Sequence, residues 1–179
     1  MEFDQVIEKR RSIRKFKPDA PVRKEQLEEM LRAASKAPSW KNSQTSRYYI
    51  VLSPDMLQTI KTECLPDFNQ RSAKDAPVLI VSAFVKDKAG FDNSGAPDNE
   101  LGNGWGCYDL GIRDEHLALK AVDLGLDTLI MGIRDSARLR ELLSIPQEQE
   151  IVSVIAVGYR DTDPSMPPRK DLNEFSFFF

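Results

Sequence analysis

Nine consecutive residues, Pro77 to Val85 (PVLIVSAFV), contain hardly a polar group, and this run limits the folds open to the chain. A strand so nearly continuous in apolar side chains is buried on both faces, unlike an alternating strand with one wet face. The run is also far too short to cross a bilayer. Two further segments read as strands, Arg47–Leu52, rich in aromatic and β-branched residues, and Glu150–Tyr159, the clearest of them, while Thr128–Ile133 is a short apolar run interrupted by a glycine.

Helical spacing fills much of the rest. Phe3, Val6 and Ile7 mark one face of a short helix over residues 3–8. Leu27, Met30, Leu31 and Ala34 recur at three and four in a helix that opens within Pro21–Leu27 and is closed by Pro38. Ser53-Pro54-Asp55 opens another, with Ser at the cap and Met56, Leu57, Ile60 and Cys64 on its apolar face. Between Tyr108 and Leu124 there are two apolar stripes, Leu110, Leu117, Ala121 and Leu124 on one and Ile112, Leu119 and Val122 on the other. A helix apolar on two sides is central or shared with another subunit, and Gly125 is placed to end it. His116 lies on this helix and reads as structural. A small helix spans Ser136–Leu143, stopped by Pro146. Asp67–Asp75 is mostly polar, and Lys86–Gly104 is a long polar loop of the kind that is often functional. That loop ends in Gly102-Asn103-Gly104-Trp105-Gly106, but no hydrophobic strand directly precedes it, so a dinucleotide fingerprint is rejected.

No repeat or internal linker divides the chain, which is expected to form a single domain over residues 1–179. A chain of this length buries enough surface to need neither disulfide nor metal. Cys64 and Cys107 are far apart and read as reduced thiols, and a lone histidine rules out a His-rich metal site. The start of the chain carries acidic residues and no apolar core of signal-peptide length, so a cytoplasmic location and no membrane association are expected. Four phenylalanines, Phe175 and Phe177 to Phe179, crowd the last five residues and call for a partner surface to cover them.

One segment concentrates charge. Six of the nine residues from Lys9 to Lys17 are basic in a chain of net charge −3. Pro18 stops any helix here, so the basic residues fall where a helix gives way to extended chain. Arg10, Ser12 and Arg14 are two apart, which in extended backbone points them to one side. Two guanidinium forks and a hydroxyl suit a phosphate. The plainer alternatives are a solvated basic surface or a nucleic-acid patch; an acidic chain, with pI near 5.3, argues against nucleic acid as the partner.

Four segments in order resemble the FMN-dependent nitroreductase family. They are Arg10-Arg11-Ser12-Ile13-Arg14-Lys15-Phe16; Ala37-Pro38-Ser39-Trp40-Lys41-Asn42-Ser43-Gln44; Leu124 to Gly132; and Val154 to Tyr159 with Pro168-Arg169-Lys170. The resemblance covers essentially the whole chain. It implies an α+β, three-layer fold, a mixed but mostly antiparallel sheet flanked by helices, and an obligate homodimer with two flavin sites in its interface. It further implies that Arg10 and Ser12 hold the FMN phosphate, closed by Arg169 with Lys170 beside it, and that Arg14 faces the pyrimidine edge of the flavin. Pro38, Ser39, Trp40 and Asn42 would reach the flavin from the other subunit. Asn69 would bond the ring edge, and the backbone at Met131 and Gly132 would approach flavin N5. Alternatives stay open at several positions: Arg11 as a flavin contact or an ion pair, Trp40 as an interface anchor or a stacking surface near substrate, Asn42 as a local loop cap, Met131 and Gly132 as plain strand and turn. One departure stands out, since Thr45-Ser46 follow where the family commonly has Pro-Trp.

The function so implied is transfer of hydride from NADH or NADPH through flavin to a small oxidised acceptor such as a nitroaromatic, quinone or activated alkene. In that chemistry the flavin, not a side chain, is the catalytic group. A reductive dehalogenation on the same fold, or a flavin-binding sensor with little turnover, are the alternatives. No ribose-reading motif selects between the two nicotinamide donors.

Overall fold

The computed structural model describes residues 1–179. In chain order the elements are α1 (Phe3–Lys9), α2 (Lys24–Ala34), β1 (Ser46–Val51), α3 (Pro54–Cys64), α4 (Asp67–Ser72), β2 (Val78–Val85), α5 (Gly104–Asp123), β3 (Asp127–Met131), α6 (Ser136–Leu143) and β4 (Gln149–Gly158). Single 3-10 turns lie at Trp40–Asn42 and Leu172–Glu174.

The four strands form one sheet in the order β1-β2-β4-β3, and all three ladders are antiparallel. The parallel component of the expected mixed sheet shrinks to a single bridge, Ser12 to Thr128. β2 sits second in the order and is buried along nearly its whole length. Its alternate residues serve two cores. Leu79, Val81 and Ala83 join Ile60, Leu139 and Ile151 beneath α3 and α6, while Val78 and Ile80 join Leu27, Met30, Leu117 and Ala121 beneath α2 and α5. Helices on both faces make three layers, the arrangement a strand apolar on both sides demands.

Two elements differ from the sequence reading. Residues 67–72 are helical (α4), although six mostly polar residues offer no stripe to detect. α5 begins at Gly104, four residues ahead of Tyr108, and its close packing on the sheet requires glycine at 106, where a Cβ would lie 2.2 Å from the Phe84 ring. Ser53 stands at the N-cap of α3 without a side-chain cap bond, whereas Asp135 caps α6 by accepting from the Arg138 N–H at 2.9 Å. Gly125 has φ +77 after α5, as a helix-ending glycine should. His116 Nδ1 lies 3.4 Å from the Ala33 carbonyl, between α5 and α2, consistent with a structural role. Phe175, Phe177, Phe178 and Phe179 are exposed. No helix is long and apolar enough to cross a membrane.

Candidate functional site: a basic pocket and two neighbouring loops

Beyond α1 the chain turns extended at Arg10 (φ −60, ψ 128) and runs along the sheet edge. Ile13 N–H donates to the Thr128 carbonyl at 3.0 Å, Lys17 N–H to Tyr159 O at 2.8 Å, and Asp161 N–H returns to Lys15 O at 2.9 Å. Ile13 and Phe16 are driven into the core, at 0% and 1% exposure, which leaves Ser12 and Arg14 facing outward. Phe16 needs Gly158 beneath it, since a Cβ there would come within 2.9 Å of its ring.

The segment expected to hold a phosphate therefore does form one surface. Arg10, Arg11, Ser12 and Arg14 line a pocket of about 220 Å³, closed from the C-terminal side by Pro164, Ser165, Pro167 and Arg169. No carboxylate is among the lining residues. Arg14 and Arg169 each spend one N–H on a nearby carbonyl, of Ser12 and Pro167, both at 3.2 Å. Arg11 Nη1 donates to Arg10 O at 2.7 Å, while its Nε is buried without a partner. Arg10 has only a long contact with Glu115, 3.7 Å. A guanidinium carries five donors, so most of those in this pocket remain free for an anion. Lys170 is exposed and does not line the pocket.

The wall of this pocket is fixed by an ion pair that the sequence reading missed. Arg160 Nε lies 3.0 Å from both carboxylate oxygens of Asp127, and its Nη2 2.6 Å from Oδ1. The same Nη2 donates to Lys9 O at 3.0 Å, and Nη1 meets Asp163. One side chain thus ties the start of β3, the end of β4, the basic segment and the C-terminal crossing.

Asn69, Met131 and Gly132 come together at the other end of β3. The buried Asn69 amide donates to Ile133 O at 3.1 Å. Met131 points its side chain into the core, so only its backbone is available to a ligand. A Cβ on Gly132 would meet nothing within 4 Å, so no neighbour in this chain requires glycine there. Gly132 lies four residues from Thr128, the bridge partner of Ser12, which is about 13 Å of extended strand.

Pro38 to Gln44 forms a separate loop against the start of α5 and is not among the residues lining the basic pocket. Lys41, Asn42 and Gln44 all have positive φ, of 45, 56 and 50. Gln44 N–H bonds Ser39 Oγ at 3.1 Å, and Trp40 N–H bonds Asp109 Oδ2 at 2.9 Å. Trp40 packs on Trp105 with ring centroids 4.4 Å apart, and Trp105 meets Tyr108 edge-on. Lys41 holds the 86–104 loop through Asp98 at 2.8 Å.

Beneath that loop, α5 buries three charged side chains, Asp109, Arg113 and Asp114, none of them anticipated. Asp114 accepts from Tyr48 Oη at 2.9 Å and from Ser82 Oγ at 3.3 Å, and Ser82 pairs with Ser153. Burial pushes the Asp114 carboxyl up to about 6, against the opposing pull of those hydrogen bonds. Burial likewise raises Asp109, partly offset by the Trp40 N–H and Arg113. Asp109 and Arg113 are four apart beside Leu110, Leu117 and Ala121, a spacing that places charged residues on a buried face of the helix, although the two form no ion pair and Arg113 Nε is without a partner. No group of three or more His, Cys, Asp or Glu side chains is placed to hold a metal.

Protein DrgA of Synechocystis is 28% identical over 90% of this chain and 85% of its own length. A protein of Thermus thermophilus named NADH dehydrogenase is 28% identical over 84% of this chain and 83% of its own. The fold is shared with a protein from Exiguobacterium sibiricum 255-15 solved in complex with FMN, at a TM-score of 0.87 and 20% identity, over 100% of this chain and 98% of that one. The sequence profile of the nitroreductase family matches residues 7–65 and 56–159, nearly all of the chain from the first basic residues to the last strand. A match over that much of the chain shows that it belongs to the nitroreductase family.

Proposed function

We propose that this chain is an FMN-dependent oxidoreductase that takes hydride from NADH or NADPH and delivers it to a small oxidised acceptor, such as a nitroaromatic, a quinone or an activated alkene. The observation that carries this reading is the pocket of Arg10, Arg11, Ser12, Arg14 and Arg169, which gathers four guanidinium groups and no carboxylate in a chain of net charge −3. Such a pocket fits the phosphate of a mononucleotide, and the orphaned Arg11 Nε marks a donor that the chain alone leaves unsatisfied. Bound FMN would supply the hydride-transfer chemistry at its N5. The chain's part is binding and electrostatics. Arg10, Ser12 and Arg169 hold the phosphate. Arg14 presents positive charge to the pyrimidine edge, and Arg11 supports the phosphate side, with Lys170 contributing long-range charge. Asn69 orients the ring edge from its anchor on Ile133 O. Gly132, about 13 Å along from the Ser12 bridge, lets the backbone approach the ring because no Cβ intrudes.

The reading places the protein in the cytoplasm as a homodimer of single-domain subunits. Pro38, Ser39, Trp40 and Asn42 then complete the flavin site from the second subunit, which accounts for a loop built in detail yet apart from the basic pocket of its own chain. The exposed phenylalanines at residues 175–179 and the groove of about 520 Å³ between Phe3, Ile112 and Leu119 are apolar surfaces that a second copy would cover. Absorbance of the purified protein, before and after anaerobic NADH, tests the proposal. Flavin bands that bleach on addition support it. Protein that stays colourless after reconstitution with FMN overturns it, and bound flavin that neither NADH nor NADPH bleaches leaves a binding protein without this turnover.

A further inference from the structure

On the other side of α4 from Asn69, a second basic crevice has no assigned occupant. It measures about 210 Å³ and is lined by Gln58, Lys61 and Thr62 of α3, by Gln70 and Arg71 of α4, and by Lys74 just beyond. Three of these six are cations and none is a carboxylate. Lys61 is buried, 9% exposed, and its ammonium donates to Lys74 O at 2.9 Å and Ala76 O at 3.0 Å. An ammonium has three N–H donors, so one is left over. None of the chain's ion pairs involves Lys61, Arg71 or Lys74. Asp75 reaches Lys61 only through space, and burial still lowers the affinity of this amine for its proton. A buried cation without a counter-charge is costly, and the usual remedy is a carboxylate or a bound anion. Here the crevice offers no carboxylate.

We propose that the crevice between α3 and α4 binds a phosphate group, either inorganic phosphate or the end of a small phosphomonoester. The third Lys61 N–H points the requirement, Arg71 supplies a planar fork, and Lys74 adds a mobile charge. The volume, close to that of the Arg10–Arg169 pocket, holds a tetrahedral oxyanion with few further atoms. The crevice shares no residue with the Arg10–Arg169 pocket, and the inference does not depend on flavin binding. Occupancy would stiffen α4, the helix that carries Asn69 to Ile133.

The test is a titration of the full-length ¹⁵N-labelled protein, saturated with FMN, followed by backbone amide shifts. Inorganic phosphate is added at constant ionic strength in one arm and ribose 5-phosphate in the other. Saturable shifts confined to residues 58–62 and 70–76 are expected, and the tighter arm identifies the source of the phosphate. Arg71 and Lys74 are exposed, so Arg71→Ala combined with Lys74→Ala will fold and should weaken binding tenfold or more. Lys61→Met reports the buried donor separately. Shifts that grow linearly without saturating would mean an adventitious ion only and overturn the site, as would saturable binding unchanged in the double variant. If the protein takes up no FMN, the same amides are read without it, and the crevice is judged apart from the flavin pocket.

Discussion

Asp127→Asn removes the negative charge from the most buried ion pair in the molecule while keeping the shape of the side chain. The Asp127 and Arg160 side chains are 5% and 18% exposed, and the guanidinium is held by three contacts to the carboxylate. Breaking a buried pair from one side costs about 3–5 kcal/mol, because the remaining charge is left uncompensated. Two features pull the figure toward the lower end: Arg160 keeps some access to water, and Asp163 offers its Nη1 a second carboxylate. We therefore expect a loss of about 3 kcal/mol. In a protein of 150–250 residues each kcal/mol moves the midpoint by about 2–4 °C, so the thermal transition should fall by about 6–12 °C. The control is Asp163→Asn, whose side chain is 87% exposed and whose loss should stay within about 0.5 kcal/mol. Urea unfolding followed by circular dichroism, on both variants at one protein concentration, gives the comparison. Equal effects from the two variants, or a loss below about 1 kcal/mol for Asp127→Asn, would refute the argument that this pair fixes the pocket wall.

The remaining expectations are more local. Arg14→Ala and Arg169→Ala should each raise the FMN dissociation constant about 10–150-fold, the equivalent of one charged hydrogen bond, measured by fluorescence titration; Lys170→Ala, outside the pocket, should change it far less. Gly106→Ala drives a Cβ into the buried Phe84 ring and should cost about 1–3 kcal/mol in the same urea assay. Asp114 is raised to about 6 in the folded chain, so folding takes up a proton at mildly acidic pH and this carboxyl's contribution to stability falls as pH rises through 6. Relative to Asp114→Asn, wild type should gain about 1.3 kcal/mol between pH 7 and pH 5, and a difference independent of pH would show that Asp114 titrates normally.

Strands and long helices were legible in the sequence because each buries a face with a clear period: β2 and β4 as apolar runs, α2 through Leu27, Met30 and Ala34. The outward placement of Ser12 and Arg14 was legible from their two-residue spacing in extended chain, with Ile13 between them turned inward, whereas the burial of Phe16 departs from that period. Hidden from the sequence were features made by distance. Asp127 and Arg160 meet only because β3 and β4 pair Asp127 with Gly158. Asp114 reaches Tyr48 and Ser82 because α5 lies across β1 and β2. Helix α4 carries its signal in tertiary contacts, the Asn69 bond to Ile133 O above all, and not in its six residues. The family resemblance named Asn69 where periodicity could not.

The strand order β1-β2-β4-β3 has a consequence for how the chain is made. The central ladder joins residues 78–85 to residues 149–157, so it closes only after everything between them has been synthesised. Such non-local pairing is slow, because the entropy of closing the loop is lost before its contacts form. On the ribosome, β2 waits with its faces only partly covered, since α2 and α3 are made but α5 and α6 are not, and with one edge unpaired, the state most prone to stick to another nascent chain. Chaperone demand during synthesis should therefore peak after β2 emerges and end when β4 does, and any truncation before Gln149 should leave an aggregating fragment rather than a smaller folded one.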